Sequence, residues 1–329
     1  MAKVACIGHT TLDVILFVDE GHVTDIKGGT DELCLPFPSK LPVQKRVITL
    51  GGNAPNVGAG LRQTGNEVLL ISQYGDDELG KLLQPLLKEW KFDLTHTFVE
   101  GESDVSVILS HQGERTILSY HGGSLYRFPQ SLQEVDYLYV SSLGFSACDE
   151  MHASVVTYFQ KHPNVRIVYN PGKLEVARGF DGEKDLLSAS HTVIVNKEEA
   201  EEMIGYESVD TYDDPYMVKL MGEYVLRGVK NIVITDSGKG AYASNGLGNN
   251  YHMPIFPCTV VEKTGAGDAF SSGYMTGLIE TNDFCKALMY GVSQSTNVVS
   301  LPGATNGLLD EDQLRERIAQ NSQVSLRVL

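Results

Sequence analysis

Positive charge is scarce in this 329-residue chain: Lys and Arg number 26 against 42 Asp and Glu, a formal net charge of −16. A field of that sign repels phosphodiester backbones and anionic lipid heads, which argues against nucleic acid and membrane surfaces as partners. It leaves room for a small anionic ligand, because local donors and bound ions set the potential inside a cleft. The five cysteines (Cys6, Cys34, Cys148, Cys258, Cys285) are scattered, odd in number and never form C-x-x-C, so neither a disulfide framework nor a zinc ribbon is expected. Nine histidines occur without an H-E-x-x-H pairing, leaving imidazole–metal chemistry without support. No apolar stretch approaches about 18 residues, and the opening residues lack the basic head and apolar run of a signal peptide. The expectation is a cytoplasmic protein in a reducing compartment. Repeats, low-complexity tracts and Pro-rich linkers are missing too.

Two further absences bear on chemistry. There is no G-x-x-x-x-G-K-[ST], hence no Walker-type phosphate loop. No G-x-G-x-x-G follows the first strand, and Gly58-Ala59-Gly60 falls inside a helical pattern, so a dinucleotide oxidoreductase fits poorly.

With 42% hydrophobic residues the chain has ample material for a core. Strand-like apolar runs at 4–8, 68–73, 135–142, 165–170, 192–195 and 232–235 alternate with helical spacing at 77–90, 149–162 and 212–226. That alternation predicts a parallel sheet covered on both faces by helices. Two segments break the rhythm: 14–50, with strand-like pieces at 14–18 and 46–50, and 104–121, which reads as a hairpin turning at Gln112-Gly113. Taken together they form a small β-structure inserted in a core made of 1–13, 51–103 and 122–329. Placed over the carboxyl ends of the strands it is a lid; a merely decorative extra sheet is the alternative.

The most informative stretch is Glu262-Lys263-Thr264-Gly265-Ala266-Gly267-Asp268, which runs into a helix with Phe270, Tyr274 and Leu278 on its core face. Gly265, Ala266 and Gly267 can aim their N–H groups at one point, where the helix dipole adds positive potential, a nest for a phosphoryl group. Asp268 beside it is suited to take the proton of an attacking hydroxyl, or it merely caps the helix. In Gly51-Gly52-Asn53-Ala54-Pro55-Asn56, Asn53 is the expected N-cap, and Asn56 points its amide back beside backbone exposed by the glycines, where it suits sugar hydroxyls. Asp13, after the first strand, could accept hydrogen bonds from two hydroxyls, or be a surface turn residue. Asn196-x-x-Glu199 has capping-box spacing, and Glu199 could also order the water shell of a magnesium ion. Thr235-Asp236-Ser237-Gly238-Lys239-Gly240 reads as a turn between strands whose amides could hold nucleotide phosphates.

Taken in order, Asp13, Gly51 through Asn56, Asn196-x-x-Glu199, Thr235-x-x-Gly238-x-Gly240 and Thr264-Gly265-Ala266-Gly267-Asp268 resemble the ribokinase, or phosphofructokinase B, family of carbohydrate kinases across nearly the whole chain. The resemblance implies a three-layer, Rossmann-like α/β core with a β-sheet lid, and transfer of phosphate from ATP, with Mg2+, to an alcohol of a sugar. It implies Asp268 as catalytic base and Gly265, Ala266 and Gly267 as anion hole. Asp13, Gly52, Asn53 and Asn56 would hold the acceptor. Asn196, Thr235, Ser237, Gly238 and Gly240 would line the nucleotide, with Glu199 organising the metal through water. Relatives often pair through their lids, so a homodimer is implied as well. Many relatives have Asp where this chain has Glu262, in a region that binds a monovalent cation in some, which argues against potassium activation. Asn53 stands where relatives acting on phosphorylated sugars often carry Lys, which favours a neutral acceptor. A nucleoside kinase on the same scaffold and a catalytically silent sugar sensor are the competing readings.

Overall fold

The computed structural model describes all residues except 19–21, 27–29, 112–113, 124–125 and 144–147, with backbone alone at 22–26 and 30–31. The turn expected at Gln112-Gly113 therefore lies outside the described residues.

The chain opens with β1 (Lys3–Ile7), β2 (Thr11–Phe17), β3 (His22–Ile26), β4 (Thr30–Cys34) and β5 (Lys45–Gly51). Next come α1 (Asn53–Gln63), β6 (Glu67–Tyr74), α2 (Glu78–Glu89), β7 (Thr97–Val99), β8 (Asp104–His111) and β9 (Glu114–Tyr120). The middle holds β10 (Tyr137–Val140), α3 (Cys148–Lys161), β11 (Arg166–Tyr169), α4 (Lys173–Ala177), α5 (Gly179–Ala189), β12 (Thr192–Asn196) and α6 (Lys197–Met203). Then follow α7 (Asp214–Leu226), β13 (Asn231–Asp236), β14 (Gly240–Asn245), β15 (Asn250–Met253), α8 (Ala266–Thr281), α9 (Phe284–Val298), α10 (Glu311–Gln320) and β16 (Arg327–Val328).

The main sheet has the order β16-β15-β14-β13-β12-β11-β10-β1-β6-β7. The strands from β13 through to β7 are parallel, as the β-α alternation predicts. The remaining three strands pair antiparallel with their neighbours, beginning at β13 and β14, where the sequence reads as a turn between strands. The cause is connection length: only the short helical turn Ser237–Lys239 separates β13 from β14, and a parallel return needs a crossover of a dozen or more residues.

Alternate residues of β1 feed two separate cores. Ala5 and Ile7 pack with Met151, Phe180, Leu187, Leu220 and Tyr224 from α3, α5 and α7. Val4 and Cys6 pack with Val57, Leu87, Phe270, Tyr274 and Leu288 from α1, α2, α8 and α9. Burial on both faces is why strands such as β10 and β12 read as unbroken apolar runs. The chain leaves β1 toward β6 and later returns on its other side at β10. A crevice consequently opens beyond the carboxyl end of β1, where ligands of such sheets bind.

A second sheet has the order β5-β2-β8-β9, and β3 and β4 form a separate ribbon. Because β2 begins at Thr11, Asp13 belongs to the smaller sheet, opposite Thr49 and Ser106. Helices α8 and α9 approach closely at two glycines. A Cβ on Gly273 would sit 2.5 Å from the Tyr290 carbonyl oxygen, and one on Gly277 would sit 2.8 Å from the Ala287 Cα. Gly273→Ala is therefore expected to lower the unfolding free energy by about 1–3 kcal/mol, since backbone rather than a mobile side chain must give way. Urea titration of the two proteins checks it.

Candidate active site

Helices α1 and α8 run side by side in the same direction. One turn at a time, Asn56 meets Asp268, Gly60 meets Ser272, and Thr64 meets Thr276. The Asn56 amide donates to Asp268 Oδ2 at 2.8 Å, a Cβ on Gly60 would lie 2.5 Å from that of Ser272, and the two threonine hydroxyls are 2.9 Å apart. Both helices thus begin at the same crevice, and both positive dipole ends point there.

Gly265 is the N-cap of α8, in left-handed conformation at φ 76°. A Cβ there would overlap Ala304, so both backbone angle and space demand glycine. A Cβ on Gly267, by contrast, would meet nothing within 4 Å, so this part of the turn faces open space. The Ala266 amide is given to the Lys263 carbonyl at 3.2 Å, so of the three amides expected to form an anion hole those of Gly265 and Gly267 are the ones available to an anion.

Asp268 follows, 8% exposed. Each of its oxygens accepts one amide hydrogen: Oδ1 from Asn53 at 2.9 Å and Oδ2 from Asn56. Burial lifts the carboxyl to about 6, against the pull of these two bonds and of the Arg115 charge. Asn53 is not the N-cap of α1, contrary to its local preference. Gly52 holds that position at φ 95°, pressed against the His9 carbonyl, and Asn53 is the first helical residue, free to reach across to α8.

Asp13 is 5% exposed, and its Oδ1 has no hydrogen-bond partner. Gly51 makes room for it, because a Cβ there would overlap the carboxylate. Burial first, then the charges of Asp268 and Glu262, raise Asp13 to about 7. Thr11 Oγ1, Asn56 Oδ1 and Thr264 Oγ1 are also buried without partners. An unsatisfied buried polar atom costs about 1–3 kcal/mol, so four of them around two carboxylates mark a place built for a polar ligand.

Asn196 and Thr235 end neighbouring strands in register. The capping box forms as predicted: Asn196 Oδ1 accepts from the Glu199 amide at 2.8 Å, and Glu199 Oε2 accepts from the Asn196 amide at 2.9 Å. Burial lifts Glu199 to about 7, with the Glu198 and Glu202 charges adding and the Asn196 bond opposing. Ser237, Gly238 and Gly240 lie in the turn between β13 and β14, and a Cβ on Gly238 would meet open space. Lys239 lies 3.5 Å from the Tyr212 ring centre. Tyr139 on β10 is buried, which raises its hydroxyl well above the usual tyrosine range, and it donates to Asn170 Oδ1 at 3.2 Å.

Several contributors escape the sequence reading. Glu114 of β9 pairs with Lys263 of the glycine turn, which brings the smaller sheet onto α8, and Arg115 is next to it. No local pattern announces either. Thr11 was accessible, lying two residues from Asp13 on the same face of a strand.

A three-layer α/β core with a glycine turn and a buried carboxylate facing one polar crevice defines a small-molecule phosphotransferase. Residues 1–311 match the family described as pfkB family carbohydrate kinase, and the chain belongs to that family. Its reaction is therefore phosphoryl transfer to an alcohol, on a sugar or nucleoside. A ribokinase from Haemophilus influenzae is 23% identical over 312 residues, covering 91% of this chain and 95% of that protein. The crystal structure of a Methanocaldococcus jannaschii nucleoside kinase superimposes with a TM-score of 0.75 at 18% identity, covering 97% and 99% of the two chains. Ribokinase from Arabidopsis thaliana, solved with ribose and ATP, gives 0.75 at 16% identity, covering 96% and 98%. Among the described residues no helix is long and apolar enough to cross a membrane, and no cluster of three His, Cys, Asp or Glu could hold a metal ion.

Asp13 and Asp268 set an opposing pH dependence for stability. Both have folded-state values above those of an unfolded chain, so the native state binds more protons and loses stability as pH rises through about 6 to 7. In the ligand-free protein Asp13→Asn removes one of these groups. Its stability advantage over wild type is expected to be absent near pH 4 and to grow to about 2–4 kcal/mol by pH 8. Denaturant melts at the two pH values measure it.

Proposed function

We propose that this chain moves the γ-phosphate of ATP onto a hydroxyl of a neutral, ribose- or fructose-like sugar, with Asp268 as the base. One observation carries the reading: the Asp268 carboxylate, fixed by two amides, stands at the opening of α8 beside a second buried carboxylate with an unpartnered oxygen. Asn53 and Asn56 orient the Asp268 oxygens and leave lone pairs for the acceptor proton. Asp13 Oδ1 and Asn56 Oδ1 receive neighbouring hydroxyls of the sugar. The amides of Gly265 and Gly267 take up charge on the phosphoryl group in transit, joined by that of Ala266 once it turns from the Lys263 carbonyl. Asn196, Thr235, Ser237, Gly238 and Gly240 line the nucleotide.

Magnesium fits this arrangement through water, since Glu199 is a desolvated carboxylate among like charges and Mg2+ keeps most of its water shell. Bound there, it would neutralise phosphate charge. A monovalent cation is left out of the reading, since Glu262 stands where many relatives have Asp and both its oxygens accept backbone amides, of Thr264 and Gly303. The smaller sheet acts as the lid, and its edge strand β9, exposed along its whole length, is the surface for a homodimer.

A nucleoside is the second acceptor to consider, given the resemblance to a nucleoside kinase structure. Polar groups around Asp13 favour the bare sugar, as does Phe37, which is 97% exposed rather than folded over the acceptor as a base platform.

The test is ADP release screened over sugars, nucleosides and sugar phosphates. Asp268→Asn is expected to lower kcat about 10³-fold while the KM for ATP changes by less than about threefold. The acceptor kcat/KM of wild type should rise as pH passes through about 6 to 7, where both carboxylates lose their protons. A variant keeping most of its turnover removes Asp268 from the base role.

A further inference from the structure

Glu262 lies six residues before Asp268 and is 1% exposed. Its two oxygens serve two different loops. Oε1 accepts from the Thr264 amide at 2.7 Å, inside the glycine turn, and Oε2 accepts from the Gly303 amide at 3.2 Å, in the loop after α9. The same two segments meet along the backbone, where the Val261 and Glu262 amides both donate to the Val299 carbonyl at 2.8 and 3.2 Å. Gly265 abuts Ala304 just beyond. Residues 261–265 and 299–304 therefore interlock, and Glu262 supplies the side-chain bond in that joint.

A carboxylate accepting buried backbone amides makes strong, directional bonds. Here they bear on the one stretch whose shape matters most, the left-handed entry into α8. If the Thr264 amide turns, the first amides of α8 and the Asp268 side chain turn with it. The charge has a second target. Asp13 is faced by Asp268 from α8 and by Glu262 from the glycine turn, with Thr49 and Ser106 as uncharged cross-strand neighbours. Arg115, on β9 of the smaller sheet, acts on Asp268 instead.

We propose that Glu262 is a positioning residue for phosphoryl transfer: its carboxylate pins the glycine turn to the loop carrying Gly303. The proposal rests on the function put forward above.

Two substitutions separate the pin from the effect of the charge. Glu262→Gln keeps the length but loses the charge and one of the two acceptor oxygens. Glu262→Asp keeps the charge but is one methylene too short to span both amides. Hydrogen exchange at Thr264 and Gly303 is expected to quicken in both variants. Both should lose about 10- to 100-fold in kcat, as a displaced transfer geometry does, with the KM for ATP within about threefold of wild type. Only the Gln variant should move the acid limb of acceptor kcat/KM to lower pH, because only there has a neighbouring negative charge gone.

Unchanged exchange at both amides, or wild-type kcat in the Asp variant, overturns the pin. An acid limb that stays in place in the Gln variant overturns the charge effect. Exchange needs no acceptor, so it decides the pin even if no hydroxyl compound is phosphorylated by wild type, an outcome that would defeat the kinase reading alone. Should the Gln variant not fold, the Asp variant carries the exchange and kcat comparison.

Discussion

Everything at this site hangs on a carboxylate held between two helices that are more than two hundred residues apart in sequence. Asp268 reaches Asn53 and Asn56 only because α1 and α8 stay in register for three turns, through the Gly60–Ser272 approach and the Thr64–Thr276 hydroxyl pair. Small residues at these positions serve the chemistry indirectly, since any added side chain would pry the amides off the carboxylate. The parallel arrangement has an electrostatic result as well. Two helix amino ends converge on one crevice, which offsets locally the net charge of −16 carried by the chain.

Much of this was readable before any coordinates. The β-α alternation and the strands of the main sheet's parallel part follow from apolar periodicity, because burial on both faces leaves an unmistakable run. The capping box at Asn196 is a local device, and local devices are written in local sequence. Asn53 shows where such reasoning stops. Its intrinsic preference is to cap, yet Gly52 takes the cap because it alone fits beneath the His9 carbonyl, and Asn53 is released for a distant partner. The antiparallel pairing of β13 with β14 is legible, by contrast, because the turn between strands at 235–240 is too short for a parallel return. Nothing near Glu114 or Glu262 announces that one meets Lys263 and the other Gly303.

The site is also a place where folding and chemistry pull apart. Three carboxylates, Asp13, Glu262 and Asp268, are buried here, and burial lifts Asp13 to about 7 and Asp268 to about 6, with the Asp268 and Glu262 charges adding at Asp13. A stable empty protein would replace them with neutral side chains and satisfy Thr11, Asn56 and Thr264 internally. The chain instead keeps four unpartnered polar atoms at its crevice, each a small standing cost. Under the proposed function the acceptor's hydroxyls would supply the missing donors and complete a hydrogen-bond network that the polypeptide leaves open.

This bears on how the smaller sheet meets the core. Asp13 is carried by β2, in that sheet, whereas Asp268 and the glycine turn are carried by the core, so the Asp268 charge acts on Asp13 across a boundary between two sheets. In the ligand-free protein a proton on Asp13, whose carboxyl is raised to about 7, relieves that repulsion, and the Glu114–Lys263 pair links the same two parts at the rim. Under the proposed function a sugar hydroxyl donating to the unpartnered Asp13 Oδ1 would favour the charged carboxylate instead, so occupancy of the crevice and the charge on Asp13 are coupled.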